Sequence, residues 1–94
     1  MIKVTSRRTI KPEHVDEVLE GYKEMVEETR KEKGCISYEL FRDVHDPNTF
    51  VMVEEWESLD NQDFHAATPH YKKFIPWVIE HQVSGDLRFL TRVL

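Results

Sequence analysis

The sequence is poor in cysteine, glycine and proline, and it has no long apolar stretch. Cys35 is the single cysteine in 94 residues, so no disulfide can form within the chain, which fits a reducing compartment. No apolar run approaches the roughly 20 residues of a membrane-spanning helix, and the first residues lack the apolar core of a signal peptide. We therefore expect a cytoplasmic protein without a membrane partner.

Positive charge is also scarce. The 13 Lys and Arg residues are outnumbered by 18 Asp and Glu residues, which gives a net charge of -5. The longest basic runs are the pairs Arg7-Arg8 and Lys72-Lys73, and such pairs are typical of a solvated surface. A nucleic-acid-binding protein needs a basic face, so the composition argues against that partner.

Motifs for nucleotide, nucleophile or metal chemistry are missing. The chain has no glycine-rich phosphate loop and no serine nucleophile elbow. Of its five histidines, His65 and His70 lie close in sequence, but a predicted helix break separates them and no carboxylate stands at ligand spacing. We therefore predict no metal and no other cofactor.

The length and the composition of the chain predict one small globular domain that covers residues 1–94. Hydrophobic residues make up 39% and charged residues 33% of the chain, which is ordinary for a globular protein. A chain of this length buries only roughly two thirds of its unfolded surface, so we expect a small core and a partner subunit.

The first half of the chain predicts a strand followed by a long helix. Alternation over residues 2–10 predicts a half-buried strand, and Pro12 ends it and suits the first turn of a helix. Apolar residues at helical spacing from Val15 to Thr29 predict one amphipathic helix, which Gly34 terminates. Gly21 lies inside this helix, where it is expected to mark a close approach to the sheet.

A hairpin and two short helices are predicted next. Residues 35–43 and 50–57 alternate around a turn at residues 45–48, and Phe50, Met52, Glu54 and Trp56 share one face of the returning strand. Ser58 predicts the start of a helix at about residues 59–66. Thr68 and Pro69 predict the start of another that continues to about His81.

A turn at residues 84–86 and a final strand at residues 87–94 complete the predicted fold. The order of elements favours a ferredoxin-like α+β sandwich, in which helices cover one face of a four-stranded antiparallel sheet. Both faces of the hairpin carry apolar residues, so the second face needs a cover as well. The sheet of a second subunit would supply it.

Four segments, taken in order, resemble the antibiotic biosynthesis monooxygenase family. They are residues 34–40 (GCISYEL), 46–50 (DPNTF), 54–58 (EEWES) and 65–74, which include His65, the run TPHY at 68–71 and Phe74. The set covers almost the whole chain. The resemblance implies a homodimer whose two sheets pack face to face, a dimeric α+β barrel, with a small-molecule pocket between each sheet and its own helices.

The resemblance also implies a choice of chemistries. Some members oxygenate quinols or aromatic polyketides without metal or flavin, some degrade haem, and some isomerise phosphorylated autoinducer-2. The haem-degrading members use an Asn on the first strand, then a Trp and a His. Here Ser6 and Arg7 lie on the first strand, His65 takes the Trp position and Ile75 falls near the His position, which argues against haem chemistry.

His65 is the first candidate for a catalytic residue, because an imidazole exchanges a proton near neutral pH. A base of this kind would convert a hydroquinone-like substrate into a phenolate that passes an electron to oxygen. Trp56 would be a stacking wall, and a buried Glu54 would be a second base or an anchor. Plain structural roles are the alternative for all three.

The remaining candidates are predicted to bind the substrate. Tyr71 and His70 begin a helix, where they can reach a substrate oxygen, and four further side chains line a pocket or the core: Tyr38, Met52, Phe74 and Trp77. The predicted function is a cofactor-independent monooxygenase of a small quinol or aromatic substrate. The alternatives are an isomerase of a small phosphorylated or oxygenated metabolite and a non-catalytic dimeric module that binds a small molecule.

Overall fold

The computed structural model describes all residues from 1 to 94. A single antiparallel sheet in the order β2-β3-β1-β4 contains the strands β1 (Ile2–Ile10), β2 (Cys35–Arg42), β3 (Thr49–Trp56) and β4 (Gln82–Leu90). A 3-10 turn (Pro12–His14) leads into α1 (Val15–Thr29), and α2 (Leu59–Ala66) and α3 (Pro69–Glu80) follow β3. The predicted ferredoxin-like α+β architecture is confirmed.

The ends of the helices follow from the residues that cap them. The Ser58 hydroxyl accepts a hydrogen bond from the Asn61 backbone N–H at 3.2 Å, which begins α2 as predicted. Thr68 does the same for Tyr71 at 3.4 Å and begins α3, with Pro69 at the first helical position. These caps set the break between the two helices.

Alternation along the strands decides which side chains meet the helices. On β3 the residues Phe50, Met52, Glu54 and Trp56 are all buried, as their shared face predicts. On β1, Val4 lies opposite Glu54 and Ser6 lies opposite Met52, so these positions share the same buried face. The core between sheet and helices therefore includes polar side chains.

Two expectations about the local structure are wrong. The last strand begins at Gln82 rather than at residue 87 and ends at Leu90, because β1 offers a long free edge with which Ser84, Gly85 and Asp86 pair instead of forming a turn. Gly21 approaches α3 rather than the sheet, since a Cβ built on it would collide with the Phe74 ring.

The opposite face of the sheet carries no helix. Val51 and Val53 lie there at intermediate exposure, and Phe41 and Leu90 lie there with 51% and 43% of their surface exposed. This surface is the one on which the sequence predicted a second subunit. None of the helices is both long and apolar enough to cross a membrane.

Candidate functional site

A cavity of about 210 Å³ lies between the sheet and the helices, and we call it the central cavity. Leu87 and Phe89 of β4, each half exposed, form its outer wall. Its inner wall combines apolar side chains with tyrosines and polar groups, among them Ser6, Arg8, Tyr22, Tyr38, Glu54 and Tyr71. Small-molecule sites typically have this mixture of apolar surface and a few converging polar groups.

Glu54 is the buried acidic group of the central cavity, whose wall also includes the exposed Asp63. Its side chain projects from the buried face of β3 and is only 5% exposed. Burial raises its pKa to about 7, although a hydrogen bond that Trp56 Nε1 donates to its Oε1 at 2.9 Å partly opposes this shift. The carboxyl therefore exchanges a proton at neutral pH, and its Oε2 has no hydrogen-bond partner in the protein.

Trp56 and His65 pack against each other behind the central cavity. Their ring centroids are 4.8 Å apart, and the two residues are 0% and 1% exposed. Neither lines the cavity. This differs from the arrangement expected for a catalytic His65 beside a stacking wall of Trp56, because α2 packs directly onto Trp56. The edges of Tyr38 and Tyr71 contact His65 at centroid distances of 5.5 and 5.1 Å and belong to the cavity wall.

Glu32 joins His65 to His70. Its Oε2 accepts a hydrogen bond from His65 Nδ1 at 2.8 Å and another from His70 Nε2 at 2.7 Å. Because a carboxylate only accepts, the His65 proton resides on Nδ1 and the lone pair on Nε2. Burial lowers the pKa of His65, and the Glu32 carboxylate partly offsets this shift. The imidazole is therefore neutral at neutral pH.

The same three side chains are of the types that bind transition metals. Their nearest ligand atoms all lie within 4.8 Å of one another. The sequence argument against a metal relied on the lack of a neighbouring carboxylate, but the fold brings Glu32 to the histidines from the segment after α1. In this arrangement both imidazoles are hydrogen-bonded to one carboxylate oxygen.

The structure divides the predicted substrate-binding residues between two places. Tyr38, Met52 and Tyr71 line the central cavity with Glu54. A separate groove of about 420 Å³ between α1 and α3 is lined by side chains that include His70, Phe74 and Trp77. The predicted set therefore does not form one site.

Arg8, Tyr22 and Gln62 are among the residues of the central cavity that were missed from the sequence. Arg8 carried a usable signal, since the alternation of β1 already placed it on the inward face. Tyr22 counted only as part of the apolar stripe of α1. Gln62 gave no signal, because a short helix leaves its buried face undetermined.

These features define a class of protein. It is a two-layer α+β domain that encloses a small cavity, and the cavity wall contains a carboxyl with a pKa of about 7. The chain belongs to the antibiotic biosynthesis monooxygenase family, whose domain matches residues 1–77. The family predicted from the sequence is confirmed.

Individual relatives agree with this assignment. The chain is 36% identical over 75 residues to "Putative monooxygenase YcnE" of Bacillus subtilis (strain 168), covering 80% of this chain and 79% of that protein. It is 30% identical over 82 residues to "Probable quinol monooxygenase YgiN" of Escherichia coli (strain K12), covering 79% and 74%. A crystal structure described as an antibiotic biosynthesis monooxygenase superposes with a TM-score of 0.95, with 41% identity and full coverage of both chains.

Proposed function

We propose that this protein is a cofactor-independent monooxygenase that oxidises a small quinol or aromatic compound with O2. The observation that carries the proposal is a carboxyl with a pKa of about 7 in the wall of a cavity of about 210 Å³. An apolar cavity of about 150 Å³ is enough for benzene, so the central cavity suits one substituted ring. The name of the relative from Escherichia coli supports a quinol as the substrate class.

Glu54 is the base that touches the substrate in this proposal. Its Oε2 takes the proton of a ring hydroxyl, and the phenolate that results passes an electron to O2. Recombination places one oxygen atom on the ring, and the other leaves as water. A quinol and O2 then give a hydroxylated quinone and water, so the substrate supplies all four electrons.

His65 has a positioning role in this proposal. Glu32 fixes the imidazole through Nδ1, the imidazole packs on Trp56, and Trp56 holds one oxygen of Glu54. The sequence predicted His65 itself as the base, and the pH profile separates the two assignments. If Glu54 is the base, kcat/KM rises with pH through about 7, because the carboxyl must lose its proton before it can accept one.

The test is oxygen consumption with hydroquinone as the probe. Glu54→Gln is expected to lower kcat/KM by at least about a hundredfold, the usual contribution of a general base. His65→Asn is expected to lower kcat/KM, but kcat/KM should still rise with pH through about 7. The matched control is Glu55→Gln, which changes the neighbouring carboxylate on the opposite face, where it is paired with Lys3 at 3.3 Å.

Two results would contradict the assignment to Glu54. One is full activity in Glu54→Gln. The other is a rise of kcat/KM with pH that is lost in His65→Asn and kept in Glu54→Gln. Product formed from the substrate without oxygen would instead favour the isomerase alternative. Binding of aromatic compounds with no turnover would favour a non-catalytic module.

We also propose that the protein is a homodimer in which the uncovered sheet faces pack together. Val51 and Val53 support this, because they are apolar side chains at the centre of a sheet face that no helix covers. An antiparallel sheet can leave one face in water, but that face is then mainly polar. The partner subunit would also cover Phe41, which is half exposed in the single chain.

A further inference from the structure

The central cavity has an acidic end and a basic end. Val4 lies opposite Glu54, and Arg8 lies four residues further along β1 on the same face. At about 3.3 Å per residue, these positions are about 13 Å apart along the strand. Arg8 is the one basic residue that lines the cavity, and Ser6 lies between it and the acidic end.

Arg8 forms no salt bridge within the protein, although its charge partly opposes the rise in the pKa of Glu54. Its Nη1 donates a hydrogen bond to the neutral Gln82 Oε1 at 2.7 Å, and no carboxylate forms a salt bridge with it. Its Nε is buried without a hydrogen-bond partner, and the guanidinium also lies beside the Tyr22 hydroxyl, where it partly offsets the rise that burial causes in the pKa of Tyr22. A partly buried guanidinium that lacks a salt-bridge partner and leaves a buried N–H unpaired is unfavourable unless a ligand supplies a counterion.

The charge and the planar shape of this guanidinium determine what kind of ligand fits. The guanidinium of Arg8 holds its N–H donors in one plane, a geometry that matches the two oxygens of a carboxylate. The other arginines near β1 do not compete for such a group. Arg7 lies on the opposite face of the sheet, and Arg88 also lies there, paired with Asp86 at 3.0 Å.

We propose that the central cavity binds hydroxylated aromatic acids, with the carboxylate held by Arg8 and a hydroxyl on the far side of the ring at Glu54. This inference rests on the proposed function only in taking the cavity as the substrate site. It adds a substrate class, namely single-ring phenols with an anionic substituent opposite the reacting hydroxyl. Arg8 is the residue that selects this class over neutral phenols.

Binding without oxygen tests this inference independently of turnover. Calorimetry on the wild-type protein compares 4-hydroxybenzoate with phenol, which lacks the carboxylate, and with 3-hydroxybenzoate, which places it at the wrong angle. We expect 4-hydroxybenzoate to bind at least about tenfold more tightly than either. Arg8→Gln is expected to abolish this preference, and the matched control Arg7→Gln is expected to retain it.

Three results would overturn the inference: no binding of any of these probes, equal binding of 4-hydroxybenzoate and phenol to the wild type, or an undiminished preference in Arg8→Gln. Arg8 also contacts Gln82, so circular dichroism checks the folding of this variant before its binding is measured. If it does not fold, the wild-type Arg8 Nε–H resonance decides, because a bound carboxylate must shift it and phenol must not. If the wild-type protein binds 4-hydroxybenzoate with this preference but consumes no oxygen with any probe, the proposed function is contradicted and this inference stands.

Discussion

Burial in the wall of the central cavity changes the pKa values of individual residues, notably Glu54 and Tyr71. Glu54 is next in sequence to Glu55, which lies on the outer face of the sheet, yet the pKa of Glu54 is raised to about 7 because Glu54 is enclosed between sheet and helices. Burial also raises the pKa of Tyr71, so its hydroxyl stays protonated and able to donate. The cavity thus combines hydrogen-bond donors with a buried proton acceptor, Glu54.

Replacement of Glu54 by Gln is expected to stabilise the fold more above neutral pH than in acid. A free glutamate titrates at 4.5, whereas the folded pKa is about 7. The favourable contribution of protonated Glu54 is complete below pH 4.5 and is lost as the pH rises to about 7, an effect of about 3 kcal/mol at most. Glutamine does not titrate, so the variant avoids this loss.

Urea unfolding at several pH values between about 4 and 8 measures this difference. Glu55→Gln serves as the control, since that carboxylate is paired with Lys3 on the outer face and should show no such gain. If the difference in unfolding free energy between Glu54→Gln and the wild type does not change with pH, the pKa of Glu54 in the folded protein is not raised.

Residue-level prediction from the sequence succeeded where strand alternation was sufficient. The shared face of Met52, Glu54 and Trp56 was read correctly because a strand has a fixed period of two. Glu32 was missed because its partner His65 is 33 residues away, and no spacing rule relates a loop to a distant helix. The same limit explains why the Arg8 contact with Gln82 could not be foreseen.

At the scale of elements, local signals predicted where most helices and strands begin. Ser58 and Thr68 were read as helix starts because their hydroxyls replace backbone partners that a helix leaves unsatisfied. The start of β4 was not predicted, because Ser84, Gly85 and Asp86 favour a turn locally and only pairing with β1 makes them a strand. Tertiary pairing overrode local preference at that one edge.

The contact between α1 and α3 depends on Gly21. Gly21→Ala would normally stabilise a helix by about 1 kcal/mol. Here the added methyl group would collide with the Phe74 ring, which also packs edge to face on Tyr22 at 4.9 Å. We expect a net destabilisation of about 1–3 kcal/mol, the usual cost of overpacking.

Thermal unfolding of a double-mutant cycle tests this packing. Gly21→Ala combined with Phe74→Leu should be less destabilised than the sum of the two single variants, because the smaller side chain removes the collision. Glu20→Ala, at an exposed position of the same helix, controls for helix propensity. A stabilised Gly21→Ala protein would mean that the two helices separate at little cost.

At the scale of the whole molecule, the two faces of the sheet have different tasks. The inner face encloses the central cavity, whereas the outer face presents Val51 beside Arg7 and Phe41, and Val53 beside Thr5 and Glu39. The sequence predicted that both faces need a cover, since both carry apolar residues. One cover is provided by the helices of the same chain, and the proposed dimer would provide the other.

Val53→Asp is expected to prevent this dimer from forming. Val53 lies between Thr5 and Glu39, so an aspartate there adds a second carboxylate to the centre of the surface. Bringing two such surfaces together would bury unpaired charges, which costs several kcal/mol. Light scattering should give twice the 11.2 kDa chain mass for the wild type and the single chain mass for the variant.

The matched control is Val44→Asp, which makes the same change in the turn between β2 and β3, where Val44 is 94% exposed. This variant should remain a dimer. Because β4 and its half-exposed Leu87 and Phe89 close the central cavity from outside, loss of the partner should not remove the cavity itself. A monomeric wild type would show that Val51 and Val53 remain in water, and the outer face would then have no part in assembly.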